Sequence, residues 1–255
     1  MRSPELTAAL DAAEAAADVI QQLYRRNIAI TIKADRSPVT EADVQAERVI
    51  KGILGERFPG YGFYGEETGQ SAMDADNVWL VDPIDGTKSF VRDCPFFSTQ
   101  IALMRQGRLV LGVSSASAYG ELAWAEVGHG AFLDGKPIRV SGVNELGGAI
   151  LSTGNLKTLA ADPAGWNRYG RLVGSVNRLR GYGDFLHYHL LARGSLDVVL
   201  ESDVNILDIA ALSVIVREAG GTFTQLDGGE VNLKTTTVLA SNGALHAEVL
   251  RAMRA

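Results

Sequence analysis

From Leu6 to Tyr24 the apolar positions Leu6, Leu10, Ala13, Ala17, Ile20 and Leu23 recur at helical spacing, with Asp11, Glu14, Asp18 and Gln22 between them. This period predicts an amphipathic helix. A second helix is predicted after Ser37-Pro38: Thr40 is its N-cap, Asp43 follows three residues later, and Val44, Ile50, Ile53 and Leu54 carry an apolar face to a stop at Pro59-Gly60. Then the period changes. Short β-type runs occupy 61–64, 78–81, 98–104, 108–114 and 121–127, with Gln106-Gly107 as one turn and Gly128 to Gly135 as another hairpin connection. The second half alternates. It reads as strand 149–152, helices 156–173 and 184–192, strand 195–200, helix 206–219, and strands 222–225 and 237–240. Helices first, a strand-rich middle and an alternating end predict an α/β (α+β) chain of layered sheets sandwiched by helices. A soft boundary divides an N-terminal half, 1–148, from a C-terminal half, 149–255, packed as one unit.

Composition narrows the function. A chain of 255 residues that is 46% apolar can bury a sizeable core. Its formal charge of −6 offers no general attraction to nucleic acid or to an anionic membrane. An anionic substrate would need local cations to offset that field. Cys94 is the one cysteine, which excludes an internal disulfide and a CxxC zinc site and suits a reducing cytoplasm. Glu5, Asp11, Glu14 and Asp18 are foreign to a secretory or transit segment, and no apolar run reaches the roughly 20 residues a bilayer needs. A soluble cytoplasmic protein is the expectation.

Candidate chemistry sits in WLVDPIDGTKSF, residues 79–90. Asp82 and Asp85 flank a proline at the end of a short buried strand, where α/β proteins commonly place ligands. Pro83 biases Asp82 toward an extended shape and Gly86 permits a sharp turn, so the two carboxylates can converge. Such hard oxygens suit magnesium. Ordinary turn chemistry explains Asp-Pro and Asp-Gly equally well. Glu66 and Glu67 close the preceding β-type run, where solvation alone accounts for them, and Asp208 and Asp43 in helical first turns are stabilised by the helix dipole whatever else they do.

Taken together, SPVTEAD (37–43), GEE (65–67), WLVDPIDGTKSF (79–90) and LDIAALSVIVREAGG (207–221) resemble the inositol monophosphatase family of magnesium-dependent, lithium-sensitive phosphatases, over nearly the whole chain. The resemblance implies the αβαβα sandwich shared with fructose-1,6-bisphosphatase, and a homodimer. It implies that Glu66, Asp82, the Ile84 carbonyl, Asp85 and Asp208 bind two or three Mg2+. Thr87 and Glu66 would orient and deprotonate a metal-bound water, and Asp43 would support Thr87. The N–H groups of Gly86 and Thr87 would hold phosphate oxygens.

The stretch from Gly181 to Leu212 resembles the histidinol-phosphatase branch, because Gly-Asp opens the substrate-side helix there. Asp184 and Glu201, with Asp85, would then face the alcohol half of L-histidinol phosphate, its ammonium included. Asp184 as a helix cap is the competing explanation. Inositol 1-phosphate is the alternative substrate, since Leu207 and Lys88, both expected at the pocket's border, depart from the family pattern. A phosphatase with an aspartate nucleophile and a non-catalytic metal or phosphate-binding module are the remaining alternatives. His187 and His189 alternate with Tyr188 and so make a poor metal pair. At least one is expected to serve packing or the surface. Arg178, Arg180 and Arg193 read as solvated charge, and nothing marks Cys94 as a nucleophile.

Overall fold

Two helices come first. In the computed structural model, which describes residues 2–26, 30–32 and 38–254, helix α1 (Pro4–Leu23) is capped by Ser3, whose side chain accepts from Leu6 N. Ser37 lies outside the described residues. A two-stranded antiparallel ribbon, β1 (Ile30–Ile32) and β2 (Pro38–Thr40), leads into α2 (Glu41–Arg57). Thr40 and Asp43 form a capping box there, each satisfying an N–H that the helix itself cannot.

The large sheet follows, built from β3 (Gly62–Gly65), β4 (Gly69–Ser71), β5 (Asn77–Asp85), β6 (Ser98–Arg105), β7 (Arg108–Ala116), β8 (Glu121–Glu126), β9 (Ala131–Leu133) and β10 (Lys136–Ile138). Its order is β10-β9-β8-β7-β6-β5-β3-β4, and only the β3–β5 pairing is parallel. A short helix, α3 (Thr87–Phe90), leaves the end of β5. The small sheet has the order β12-β11-β13-β15-β14, from β11 (Ile150–Thr153), β12 (Arg178–Arg180), β13 (Val198–Ser202), β14 (Thr222–Thr224) and β15 (Thr237–Ser241). Between these strands run α4 (Lys157–Ala160), α5 (Pro163–Ser175), α6 (Asp184–Ala192) and α7 (Ile206–Glu218), and α8 (His246–Arg254) follows β15.

Strand alternation assigns each sheet face to a different core. Trp79 and Val81 of β5, with Ile101 and Leu103 of β6, join Leu6, Ala13 and Ile20 of α1 and Ile50 and Leu54 of α2. Leu80 and Ala102, on the opposite face, join Phe185 and Leu191 of α6, Leu212 and Val216 of α7, and Val199, Val238 and Ala240 of the small sheet. Val198, Leu200 and Leu239 turn the other way, onto Leu172 of α5 and Val249 and Met253 of α8. The layers are therefore α, β, α, β, α. Helix α7 is apolar all round because a sheet covers it on both sides. Its approach to the large sheet is close: a Cβ on Gly112 would stand 2.3 Å from the Ala211 carbonyl oxygen.

Several elements differ from the sequence expectation. The predicted helix 156–173 is two helices, because Asp162 caps a new start with Pro163 at its first position. The 128–135 connection contains β9, held between turns with positive φ at Gly128, Gly130 and Gly135. The edge strands β4 and β12 and the helix α8 are additional. Among the described residues no helix is long and apolar enough to cross a membrane.

Candidate active site

In a regular strand Asp82 and Asp85, three positions apart, would point to opposite faces. The structure removes that parity. Asp82 pairs with Gln100 and Asp85 with Ser98, so β5 carries one residue more than β6 across the same interval, a β-bulge. The bulge is held by its own polar groups: Ile84 N donates to Asp82 Oδ1 at 2.9 Å, and Thr99 Oγ1 donates to the Pro83 carbonyl at 2.8 Å. Gly86 then turns the chain at φ +89, where a Cβ would also meet the Phe96 carbonyl at 2.7 Å. Only glycine fits there. The result brings carboxylate oxygens of Asp82, Asp85 and Asp208 within 4.8 Å of one another.

Asp208 reaches the cluster from the first turn of α7, where it completes a capping box: Asn205 N donates to Asp208 Oδ2 at 3.0 Å, and Asn205 Oδ1 accepts from Leu207 N at 2.7 Å. Asp43 does the same for α2. Its Oδ2 accepts from Thr40 N at 2.7 Å and Thr40 Oγ1 at 2.6 Å, while Oδ1 lies 3.2 Å from the Thr87 hydroxyl. That hydroxyl is also 2.9 Å from the Ile84 carbonyl oxygen. Its single proton thus chooses between two acceptors. Glu66 stands close enough to Asp82 to repel its carboxylate and lines the same cavity. Behind it stands Glu47, fully buried on α2, which accepts from Glu67 N and Thr68 N, both at 2.7 Å. Glu47 thereby anchors the turn that carries Glu66.

Electrostatically the acids of the cluster oppose one another. Burial, then repulsion from Glu66, Asp85 and Asp208, holds Asp82 well above the usual carboxylate range. Asp85 is raised as well, by burial and then by Asp208. Burial pushes Asp208 up to about 7, although the Asn205 N–H pulls the other way. Asp43 is raised by burial against the opposing pull of Thr40. Carboxyls this crowded ionise together only beside positive charge. The donors are oxygens alone, acids with a backbone carbonyl, which fits Mg2+ and not a thiolate-seeking or imidazole-seeking metal.

These residues open onto a cavity of about 450 Å³, lined also by Gly86, Thr87, Lys88, Asn155, Asp184 and Asp203. Glu201 and Tyr188 line a small inner recess of about 20 Å³ that shares Asp85, Asn155, Asp184 and Asp208 with it. Asp184 does not cap its helix; Gly183 holds that position, without a side-chain bond. Burial and Glu201 push Asp184 up to about 6, with His187 and Lys88 opposing. Glu201 is buried too, yet the pull of His187, Tyr188 and Asn155 N outweighs desolvation and lowers it. A separate groove of about 580 Å³ beside α1, lined by Leu10, Glu14 and Trp124, contains none of the clustered acids.

The expectations for Leu207 and Arg193 need correction. Leu207 does not border the pocket; it is buried in the central core, whereas Lys88 lines the cavity. His187 and His189 are both fully buried, His187 on Glu201 and His189 between Glu121 and Ser114. Arg193 is not free solvated charge, because it pairs with Glu121 at 2.7 Å. Arg178 and Arg180 are exposed, and Cys94 is half-buried outside the cavity lining. Sequence reasoning passed over Glu47, Asn155 and Asp203. For Glu47 the signal was present: it lies four residues beyond Asp43, on the same helix face.

Five alternating layers define an α/β sandwich, with three acids converging at a bulged strand end where they could hold a metal ion. The sequence profile of the inositol monophosphatase family matches residues 1–255, and the chain belongs to that family. Histidinol-phosphatase of Mycobacterium tuberculosis is 43% identical over 240 residues, covering 90% of this chain and 89% of that one. Inositol-1-monophosphatase of Caulobacter vibrioides is 36% identical, covering 85% and 87%. The solved structure of the extragenic suppressor protein SuhB of Bartonella henselae superposes with a TM-score of 0.91 at 30% identity, over 99% of both chains. The enzyme class is phosphoric monoester hydrolase.

Proposed function

We propose that the protein is a Mg2+-dependent phosphomonoesterase that hydrolyses L-histidinol phosphate by direct attack of water, acting as a cytoplasmic homodimer. The observation that carries the reading is the convergence of Asp82, Asp85 and Asp208 in a cavity that Glu66 also lines. Glu66, Asp82, the Ile84 carbonyl, Asp85 and Asp208 would hold two or three Mg2+. When bound, the cations neutralise phosphate charge, lower the pKa of water and stabilise the leaving oxygen.

The chain's own groups do the rest. Asp43, fixed by Thr40, accepts the Thr87 proton, and the Thr87 oxygen is then free to accept one from the attacking water. Glu66, as general base, takes the one proton the water gives up, the proton facing Thr87 stays on the new P–O bond, and the departing alcohol oxygen takes a proton from solvent in exchange. Gly86 and Thr87 present N–H groups at the start of α3, where a helix has no internal acceptors for them, and these receive phosphate oxygens. Asp184 and Glu201 meet the ammonium of the alcohol half. A hydrogen bond between charged partners is worth roughly 1.5–3 kcal/mol, enough for about a tenfold to hundredfold preference over an ester without the amine.

The 43% and 38% identities to proteins named histidinol-phosphatase support this substrate. Inositol 1-phosphate is the second reading, supported by the 36% and 34% identities to proteins named inositol-1-monophosphatase. Rates of phosphate release from the two esters, side by side with Mg2+, decide between them. A clear preference for the histidinol ester is expected, and a clear preference for the inositol ester would sink the assignment.

A further inference from the structure

His187 is fully buried and has no part in the chemistry above. It sits one turn beyond Asp184 on α6, and its ring joins two segments of the pocket wall. Nε2 lies 3.0 Å from Glu201 Oε2, and Nδ1 lies 3.4 Å from Ser152 Oγ, which accepts from Tyr182 N at 3.2 Å. In the neutral ring the protons run one way: Tyr182 N–H to Ser152, the Ser152 hydroxyl to Nδ1, and Nε2–H to Glu201. The chain of bonds therefore begins in the loop just ahead of Asp184 and ends on Glu201. Asp184, where that loop enters α6, adopts φ +45, a left-handed conformation that Asp takes more readily than most side chains.

Tyr188 donates to the same Glu201 oxygen at 2.7 Å, and Asn155 N donates to Oε1 at 3.1 Å. A carboxylate offers about four lone-pair positions. Three are filled by the fold. The one that remains is on Oε1, the oxygen held by Asn155, a residue common to the inner recess and the main cavity.

We propose that His187 and Tyr188 are positioning residues that clamp Glu201 Oε2, so that its remaining acceptor and Asp184 are held at a fixed spacing that selects alcohols bearing an ammonium group. This rests on the proposed role of Asp184 and Glu201 as substrate contacts. An unclamped glutamate would lose side-chain freedom each time it gripped a ligand, whereas a clamped one has lost it already, on folding. Tyr188 also lines the recess with Asp85 and Asp208, but the clamp's hydrogen bonds end on Glu201. Neither side chain hydrogen-bonds Asp43, Glu66 or Thr87 in the structure.

The test compares L-histidinol phosphate with glycerol 2-phosphate, the ester of a smaller alcohol without an amine. His187→Leu should raise KM for the histidinol ester about tenfold, with kcat within about twofold, and move KM for the glycerol ester by less than about twofold. His187→Gln, which can still donate to Glu201, should recover most of the loss. Tyr188→Phe keeps the buried shape and should raise KM for the histidinol ester about threefold, which keeps the proposal open to test if His187→Leu does not fold. Equal losses on both esters, or preference unchanged in Tyr188→Phe and in whichever His187 variants fold, would overturn the clamp. The wild-type ratio separates the two failures: no preference for the amine ester overturns the substrate reading and the clamp with it, while a wild-type preference that the variants retain overturns the clamp alone.

Discussion

Asp82 and Asp85 face the same point because β5 carries one residue too many, Asp208 reaches it from a helix cap, and a second cap places Asp43 against Thr87. Asp82, Asp43 and Asp208 thus each have a structural task that holds them still for the chemical one. Glu47 shows the same economy at one remove, fixing the turn that presents Glu66 through two backbone N–H groups. A glutamine at position 47 has one acceptor oxygen where the carboxylate has two, so one N–H of that turn loses its partner. Glu47→Gln should lower stability by about 1–3 kcal/mol in denaturant titrations and weaken Mg2+ binding, because the loss falls on the Glu66 turn. Unchanged Mg2+ affinity alongside lowered stability would show that Glu47 supports the fold only.

Among elements, α7 couples the core to the site. Its residues Ile206 to Val216, Asp208 apart, are buried between two sheets, and Asp208 projects from its first turn. Gly112→Ala would drive a Cβ into the Ala211 carbonyl oxygen, and relief requires α7 to shift away from β7. Overpacking of this kind costs about 1–3 kcal/mol. The variant should also bind Mg2+ more weakly, measurable by calorimetry, although Gly112 lies outside the cavity lining. Full retention of affinity would mean that α7 does not position Asp208. The helices 184–192 and 206–219 were legible because their apolar runs are long and end at caps or glycine. The acids were legible as types in sequence order. The convergence of Asp82 and Asp85 was legible in Pro83 and Gly86, and that of Asp208 in the resemblance; the bulge that produces it was not, because a bulge leaves no mark in a one-dimensional pattern. Leu207 and Glu47 were misplaced or missed for a related reason: periodicity says which face a residue takes, not what covers that face. The split at Asp162 was missed although Asp-Pro announces a helix start, because the apolar period on either side reads as continuous.

At the scale of the whole molecule, a chain of net charge −6 concentrates buried acid at the end of one strand. Asp208 is pushed up to about 7 and Asp184 to about 6, from an ordinary 3.8, by burial first and by neighbouring acids. Folded-state values above unfolded ones mean that the native state keeps protons the unfolded chain has lost. Without divalent cation, stability from these groups is therefore full below about pH 4 and is lost as the pH rises toward and through about 7. Cation binding reverses the penalty, so the rise in melting temperature on adding Mg2+ should be larger at pH 8 than at pH 5, by on the order of 5 °C. Equal rises at both values would mean the acids are not the cation's ligands. The most direct measurement is phosphate release from L-histidinol phosphate by protein stripped with a chelator, then resupplied with Mg2+. Release should fall to background on stripping and return on resupply, and should fail to return in Asp208→Asn. Turnover that survives exhaustive stripping would contradict the whole scheme.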